Sequence, residues 1–228
     1  MLKISLRLLS FLSVLMLSGS LLAELSRPSP TSPGKYSRWG GEIDKLEIVA
    51  PFKLAGYSRI VVEPFDTSST PLPKPQDSTY GPVKNALAHT TPTLAAVLSA
   101  ALPAAPAQVE EPGAGSEAGA LVVRGKVLTM DPGSDIPVYS ANGPGRARTV
   151  IAGEVVDGTT GKTLLRFQQE RRIGPSGGLQ EGFGRNGEVQ VNVRSENLAG
   201  SSGNLYEKAL SFNLRLLGHD LADVLKSF

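Results

Sequence analysis

An α+β domain is the fold class this sequence predicts: a mostly antiparallel sheet with two helices packed on one face, in the order β-α-β-β-β-(β)-α. Three observations carry that expectation. Short runs rich in β-branched residues recur between turn signals. Two stretches keep apolar residues at helical spacing. The segment from residue 147 to 172 turns back on itself around a tight glycine-containing turn.

The first strand is read at Tyr57 to Phe65, where Ile60, Val61 and Val62 stand between aromatic residues and Pro64 closes the run. Residues 67–82, rich in Ser, Thr and Pro, read as a loop. Thr91 reads as an N-cap with Pro92 at the first helical position. Leu94, Val97, Leu98, Ala101 and Leu102 follow at helical spacing until Pro103 ends the helix. Residues 104–119, mostly Ala, Pro, Gly and Glu, read as a low-complexity loop.

A second strand runs from Leu121 to Met130 and stops at the turn signal Asp131-Pro132-Gly133-Ser134. Ala147 to Val156 and Lys162 to Arg172 form a hairpin around Asp157-Gly158-Thr159-Thr160-Gly161. Its arms alternate Val150, Ala152 and Glu154 on one side and Leu164, Arg166 and Gln168 on the other. Residues 174–187 are glycine-rich, and Val189, Val191 and Val193 then suggest a short additional strand. The chain closes on an amphipathic helix. Asn204 is its N-cap, and Leu205, Ala209, Phe212, Leu216, Leu217, Leu221, Val224, Leu225 and Phe228 keep near a 3.6-residue period. Gly218 inside it costs about 1 kcal/mol relative to alanine and marks a kink.

Ahead of the domain, Lys3 and Arg7 precede a largely apolar run from Leu8 to Leu17, and Ser18, Gly19, Ser20 and Ala23 supply small residues. This is the layout of a secretory signal peptide. The organisation expected is a signal at 1–23, a Pro/Ser/Gly-rich spacer at 24–45 and a single α+β domain at 46–228. Alternate prolines in Arg27-Pro28-Ser29-Pro30 favour extended backbone, so the spacer reads as a stand-off from a membrane or as a frayed terminus.

Leu17-Ser18-Gly19-Ser20 resembles the lipobox of bacterial lipoproteins, with Ser20 where the lipidated cysteine would stand; the chain contains no cysteine. A serine hydroxyl does not replace a thiolate nucleophile near neutral pH. Three readings of this degenerate lipobox stay open: simple export with cleavage after Ser20 or Ala23, descent from an anchored lipoprotein, and an uncleaved membrane segment. The apolar core is shorter than the roughly 20 residues of a spanning helix.

Composition narrows the function classes. Lys3 and Arg7 account for the whole net charge of +2, so the rest of the chain is balanced and no nucleic-acid partner is expected. Without cysteine there is no disulfide scaffold and no thiolate metal site. Gly182-Phe183-Gly184-Arg185-Asn186-Gly187 matches a dinucleotide fingerprint only in letters, since a strand pattern follows it instead of a helix. Gly161-Lys162-Thr163 lacks the first glycine of a P-loop, because position 156 is Val. His89 and His219 are the only histidines and cannot build a closed zinc site. No G-x-S-x-G stands at a strand-to-helix turn. Glu110-Glu111 lies in loop. Arg146, Arg148, Arg171 and Arg172 flank the hairpin, either as a small basic patch or as charges that keep sheet edges soluble.

Three segments together resemble a family of bacterial envelope lipoproteins with a domain of unknown function. They are Tyr57 to Phe65, Leu121 to Val127 with its Asp131-Pro132-Gly133-Ser134 turn, and Ala152 to Leu164, closed by a helix carrying His219-Asp220-Leu221-Ala222. The resemblance implies an α+β domain distantly similar to accessory lipoproteins of curli secretion and of cell-wall-synthase activation, which act by binding proteins. The expectation is therefore a non-enzymatic, exported module of the periplasm or cell envelope, with outer-membrane association open. It has no catalytic, cofactor or metal residues and an unidentified envelope protein as partner. Membrane association would come through an uncleaved signal or through that partner. The alternative is a periplasmic carrier or sensor of a small apolar ligand, held in a pocket lined by Leu98, Leu102, Phe212 and Leu216.

Overall fold

The computed structural model describes residues 30–39, 43–113, 118–133, 147–173 and 205–228. Among these, seven strands make one sheet: β1 (Gly34–Trp39), β2 (Ile43–Ile48), β3 (Arg59–Val62), β4 (Ala107–Val109), β5 (Ala120–Asp131), β6 (Ala147–Asp157) and β7 (Thr163–Ile173). Three helices accompany them: α1 (Tyr80–Ala88), α2 (Thr90–Ala101) and α3 (Leu205–Lys226). The spatial order is β1-β2-β7-β6-β5-β3-β4.

The class is α+β, but the sheet is mixed rather than mostly antiparallel. β1, β2, β7, β6 and β5 pair antiparallel in succession, whereas β3 runs parallel to both of its neighbours, β5 and β4. The parallel pairs follow from connectivity. After β3 the chain crosses back through α1 and α2 before it enters β4, and such a crossover returns it in the same direction. The helices number three rather than two. α1 begins within the 67–82 stretch that reads as loop, because Gly81-Pro82 at its start resembles a turn, and it continues through residues 83–88, to which the sequence assigns no element; Pro is tolerated in a first helical turn. Residues 34–45, assigned by composition to the spacer, carry β1 and the start of β2, and β2 pairs with β7. β4 likewise lies within a stretch read as low-complexity loop.

The hairpin is found where alternation placed it. Gly161 adopts a φ of 69° in the turn, and the Asp157 carboxylate accepts the amide hydrogens of Thr159 and Thr160 at 3.0 and 2.8 Å. The Tyr57 hydroxyl donates to the same carboxylate at 2.9 Å. Burial, and then this bond, push the Tyr57 phenol up to about 12. α2 begins at Thr90 rather than after Thr91. The Thr91 hydroxyl instead accepts the Phe65 amide hydrogen at 2.9 Å, tying the helix to the end of β3. The strand expected at Val189 to Val193 lies outside the described residues.

The core sits between one face of the sheet and the helices. Ile60 and Val62, Leu121 and Val123, Ile151 and Val155, and Leu165 and Phe167 point into it, against Leu94 and Leu98 of α2 and Leu210, Leu214, Leu217 and Leu221 of α3. Each such side chain contributes roughly 1.5–3 kcal/mol of burial. At the sheet centre Gly125 pairs with Gly153, and Phe65 and Phe167 lie over these two glycines. An added β-carbon would stand 2.8 Å from the Phe65 ring or 2.7 Å from the Phe167 ring. On the opposite face Val61, Ala120, Val122 and Val156 form a small second cluster.

Candidate functional site: the charged face of the sheet

With alternate strand residues committed to the core, the intervening ones face away from the helices. Register then aligns five charges into one row. Lys35 of β1 is opposite Glu47 of β2, Glu47 is opposite Arg166 of β7, Arg166 is opposite Glu154 of β6, and Glu154 is opposite Arg124 of β5. The contacts run 3.7 Å from Lys35 Nζ to Glu47 Oε1 and 3.1 Å from Arg166 Nη1 to Glu47 Oε2. They continue at 4.0 Å from Arg166 Nε to Glu154 Oε2 and 2.7 Å from Arg124 Nη2 to Glu154 Oε1. The signs alternate across five strands. Arg166, the centre, keeps 54% of its side chain exposed and Arg124 46%.

Beside the Arg124 end a cleft of about 450 Å³ opens. Glu63, Asp66, Arg124, Lys126, Glu154 and Arg166 line it over a floor of Gly125, Ala152 and Gly153. Its carboxylates are firmly engaged. Burial works to raise the Glu154 carboxyl, but hydrogen bonds from Arg124 and Thr163 outweigh it and hold the group below its ordinary range. Hydrogen bonds from Ser68 hold Asp66 low, and a hydrogen bond from Arg166 does so for Glu47. A general acid at neutral pH needs the opposite shift. These groups are held in the charged form.

A second polar cluster is buried between α3 and β7. Asp220 accepts from Gln169 Nε2 and Arg171 Nε, both at 2.7 Å, and its other oxygen accepts from Arg171 Nη2. Gln169 Oε1 in turn accepts the Asp44 amide hydrogen at 2.8 Å, and Asp44 accepts that of Glu170 at 2.8 Å. Burial pushes the Asp220 carboxyl up, against the pull of Arg171. The cluster joins α3, β7 and β2, which makes it structural in placement.

The residues singled out in the sequence fall apart in space. Arg171 points to Asp220 on the helix side, whereas Arg148 and Arg172, opposite one another in register, both engage Glu170 on the other face. The proposed basic patch is thus split and neutralised, and Arg146 lies outside the described residues. Glu110 is paired with Arg59. Lys162 is exposed in the hairpin turn, and the Thr163 hydroxyl donates to Glu154 at 2.9 Å. His89 Nδ1 lies 2.8 Å from the Asn85 carbonyl oxygen, and His219 is on the exposed side of α3. Among the described residues no three His, Asp or Glu side chains gather to hold a metal ion.

The apolar lining proposed for a ligand is not brought together either. Leu98 and Leu102 belong to the packed core, whereas Phe212 and Leu216 stand outside it, half-buried, with the Arg215 guanidinium 5.6 Å from the Phe212 ring centre. Leu17, Ser18, Gly19, Ser20 and the glycine run 182–187 lie outside the described residues. Among the described residues no helix is long and apolar enough to cross a membrane. Alternation within the hairpin grouped Glu154 with Val150 and Ala152, and Arg166 with Leu164 and Gln168, without turning either set to solvent; Lys35, Glu47 and Arg124 join them through strand pairing, that of β2 with β7 being between distant segments.

No protein-family model matches the chain, and no curated protein matches it. Among solved structures it is similar to PelC from Paraburkholderia phytofirmans, solved as a dodecamer. Identity is 14%, 73% of this chain and 94% of that one are covered, and the TM-score is 0.36. A point-substituted form of the same dodecamer gives 16% identity, 73% and 95% coverage and a TM-score of 0.38. A neuraminyllactose-binding hemagglutinin homolog from Helicobacter pylori gives 14% identity, 54% and 68% coverage and a TM-score of 0.24. The resemblance to envelope lipoproteins rests on the quoted motifs alone.

Proposed function

We propose that this chain is an exported accessory module of the cell envelope that acts by holding another envelope protein, without catalysis of its own. The observation that carries the reading is the face of the sheet turned away from the helices. There an ordered row of charges and an adjoining cleft are presented on a rigid scaffold, with carboxylates tuned to stay ionised. The n-region and apolar run at residues 3–17 support export. The resemblance of the motifs quoted above to envelope lipoproteins supports the envelope setting.

Site-specific photocrosslinking in the producing organism tests this reading. A crosslinker at Gln168, on the charged face, should give a discrete adduct with an envelope protein, and one at Lys84, on the exposed side of α1, should not. Absence of any discrete adduct from the charged face, or the same adducts from both positions, would overturn it.

A further inference from the structure

The charged row specifies the chemistry of what lies on it. Neighbouring strands are about 4.8 Å apart, so five opposite residues form a row of charges whose backbone positions step at about that interval across the strands. The order is Lys35, Glu47, Arg166, Glu154, Arg124, a strict alternation of positive and negative. Each charge already has a neighbour of opposite sign within 4.0 Å. The row is therefore close to neutral as a whole and offers little to a polyanion or a polycation, whose like charges would meet a repulsive residue at every second position. Only a partner whose own charges alternate at nearly the same interval meets an opposite charge at every step.

An extended strand does not fit, since its same-face residues recur at about 6.6–6.8 Å. An α-helix does. Residues every third or fourth position share a face, and at 1.5 Å per residue they recur at about 5.3 Å. Over the four steps of the row the mismatch is about 2 Å, within the reach of long Lys, Arg and Glu side chains.

We infer that the charged face is a docking site for an α-helix of a partner protein that lies across the strands and carries acidic and basic residues in alternation every third or fourth position along one face. Acidic residues meet Lys35, Arg166 and Arg124, and basic ones meet Glu47 and Glu154. The inference rests on the reading of this face as the partner-facing surface. It adds the partner's secondary structure and charge pattern. It also gives the interaction a basis for specificity, because a wrong pattern places like charges together.

Two synthetic alanine-based helical peptides of identical composition test it on the full-length protein. One alternates Glu and Lys every third or fourth residue along one face, and its isomer collects all Glu in one half and all Lys in the other. The alternating peptide should bind at least about tenfold more tightly, with affinity falling as salt is raised. Arg166→Glu, which breaks the alternation at its centre, should abolish this preference. Arg166→Gln, which only leaves a neutral gap, should reduce it part way. Lys84→Glu on α1 should change nothing. Equal binding of the two peptides, binding of neither, or a preference that survives Arg166→Glu would overturn the inference. If crosslinking from Gln168 still gave its adduct in that case, the face would remain a contact surface for a partner of another shape. If the crosslinks also failed, both readings would fall.

Discussion

Gly218 of α3 lies directly against Val97 of α2: a β-carbon added to Gly218 would stand 2.9 Å from both the Cβ and the Cγ1 atoms of Val97. α3 runs through this glycine as continuous helix, and the residue marks where the two helices approach rather than where α3 breaks. Gly218→Ala gains roughly 1 kcal/mol of helix propensity but meets a β-branched side chain that cannot swing away. Overpacking of this kind costs about 1–3 kcal/mol. The substitution should lower the denaturant midpoint, and adding Val97→Ala should recover more stability in the Gly218→Ala background than Val97→Ala leaves in the parent.

The same test applies at the sheet centre with a harsher outcome. A β-carbon on Gly153 would come within 2.7 Å of the Phe167 ring and 2.5 Å of the Arg124 carbonyl oxygen, and the backbone atom cannot yield. Gly153→Ala should destabilise by about 3 kcal/mol or more, as bulk forced into a packed core does. Gly161→Ala, in the open hairpin turn, should cost only the strain of its positive φ, about 1 kcal/mol. Urea denaturation of the two variants side by side reads the difference.

Asp220 and Arg171 form an ion pair that is almost entirely removed from water. Removing one partner strands the other charge, so Asp220→Asn should destabilise by about 3 kcal/mol. The paired change Asp220→Leu with Arg171→Met removes both charges together and should recover most of that loss. A double-mutant cycle of melting curves measures the coupling.

Acid should weaken the fold through the charged face. Glu47 is held low by its hydrogen bond from Arg166. For Glu154 and Glu170 burial acts upward, but arginine hydrogen bonds outweigh it and hold both groups below the ordinary carboxylate value. A folded-state pKa below the unfolded one contributes stability above the unfolded value, about 4.3 for Glu, and that stability is lost as pH falls through the folded value. The denaturant midpoint should therefore drop between about pH 5 and pH 3. In a variant carrying Arg124→Gln and Arg166→Gln the drop should be shallower.

Ser20, at the end of the segment that resembles a lipobox, makes a prediction of its own. Ser20→Cys restores a Leu-Ser-Gly-Cys lipobox, and the acyl chains added to it would contribute about 0.8 kcal/mol per buried methylene, enough for stable anchoring with two or more chains. Expressed in a host competent for lipidation, the variant should move to the detergent phase, and the parent should stay aqueous with a mature terminus at Leu21 or Glu24. N-terminal mass analysis reads both. A Ser20→Cys form that remains aqueous and unlipidated leaves Leu17, Ser18 and Gly19 as an ordinary signal-peptidase site.

Much of the fold was legible because its signals are local. The β6–β7 hairpin, β5 and α3 declare themselves by side-chain periods of two or 3.6 within a dozen or so residues and by the turn at Asp157 to Gly161. α1 was hidden by Gly81-Pro82, β4 by an Ala/Pro-rich surround, and β1 by a glycine- and proline-rich approach. α1 and β4 are held by partners elsewhere in the chain, and β1 by the adjacent β2, rather than by their own propensity. The parallel pairing of β3 with β5 was equally out of reach, since nothing in either strand records the direction of the other.

By itself the sequence determined an α+β chain with balanced charge, a signal-like start and no motif that commits it to chemistry. It also determined that Glu154 and Arg166 stand in alternating positions on the two arms of one hairpin, because alternation within a hairpin is a local property. Only the tertiary structure decided that Lys35, Glu47, Arg166, Glu154 and Arg124 form one line. Register between strands far apart in the chain is fixed by which faces bury their apolar residues, and shifting one strand by a single residue would send its charges to the other side of the sheet.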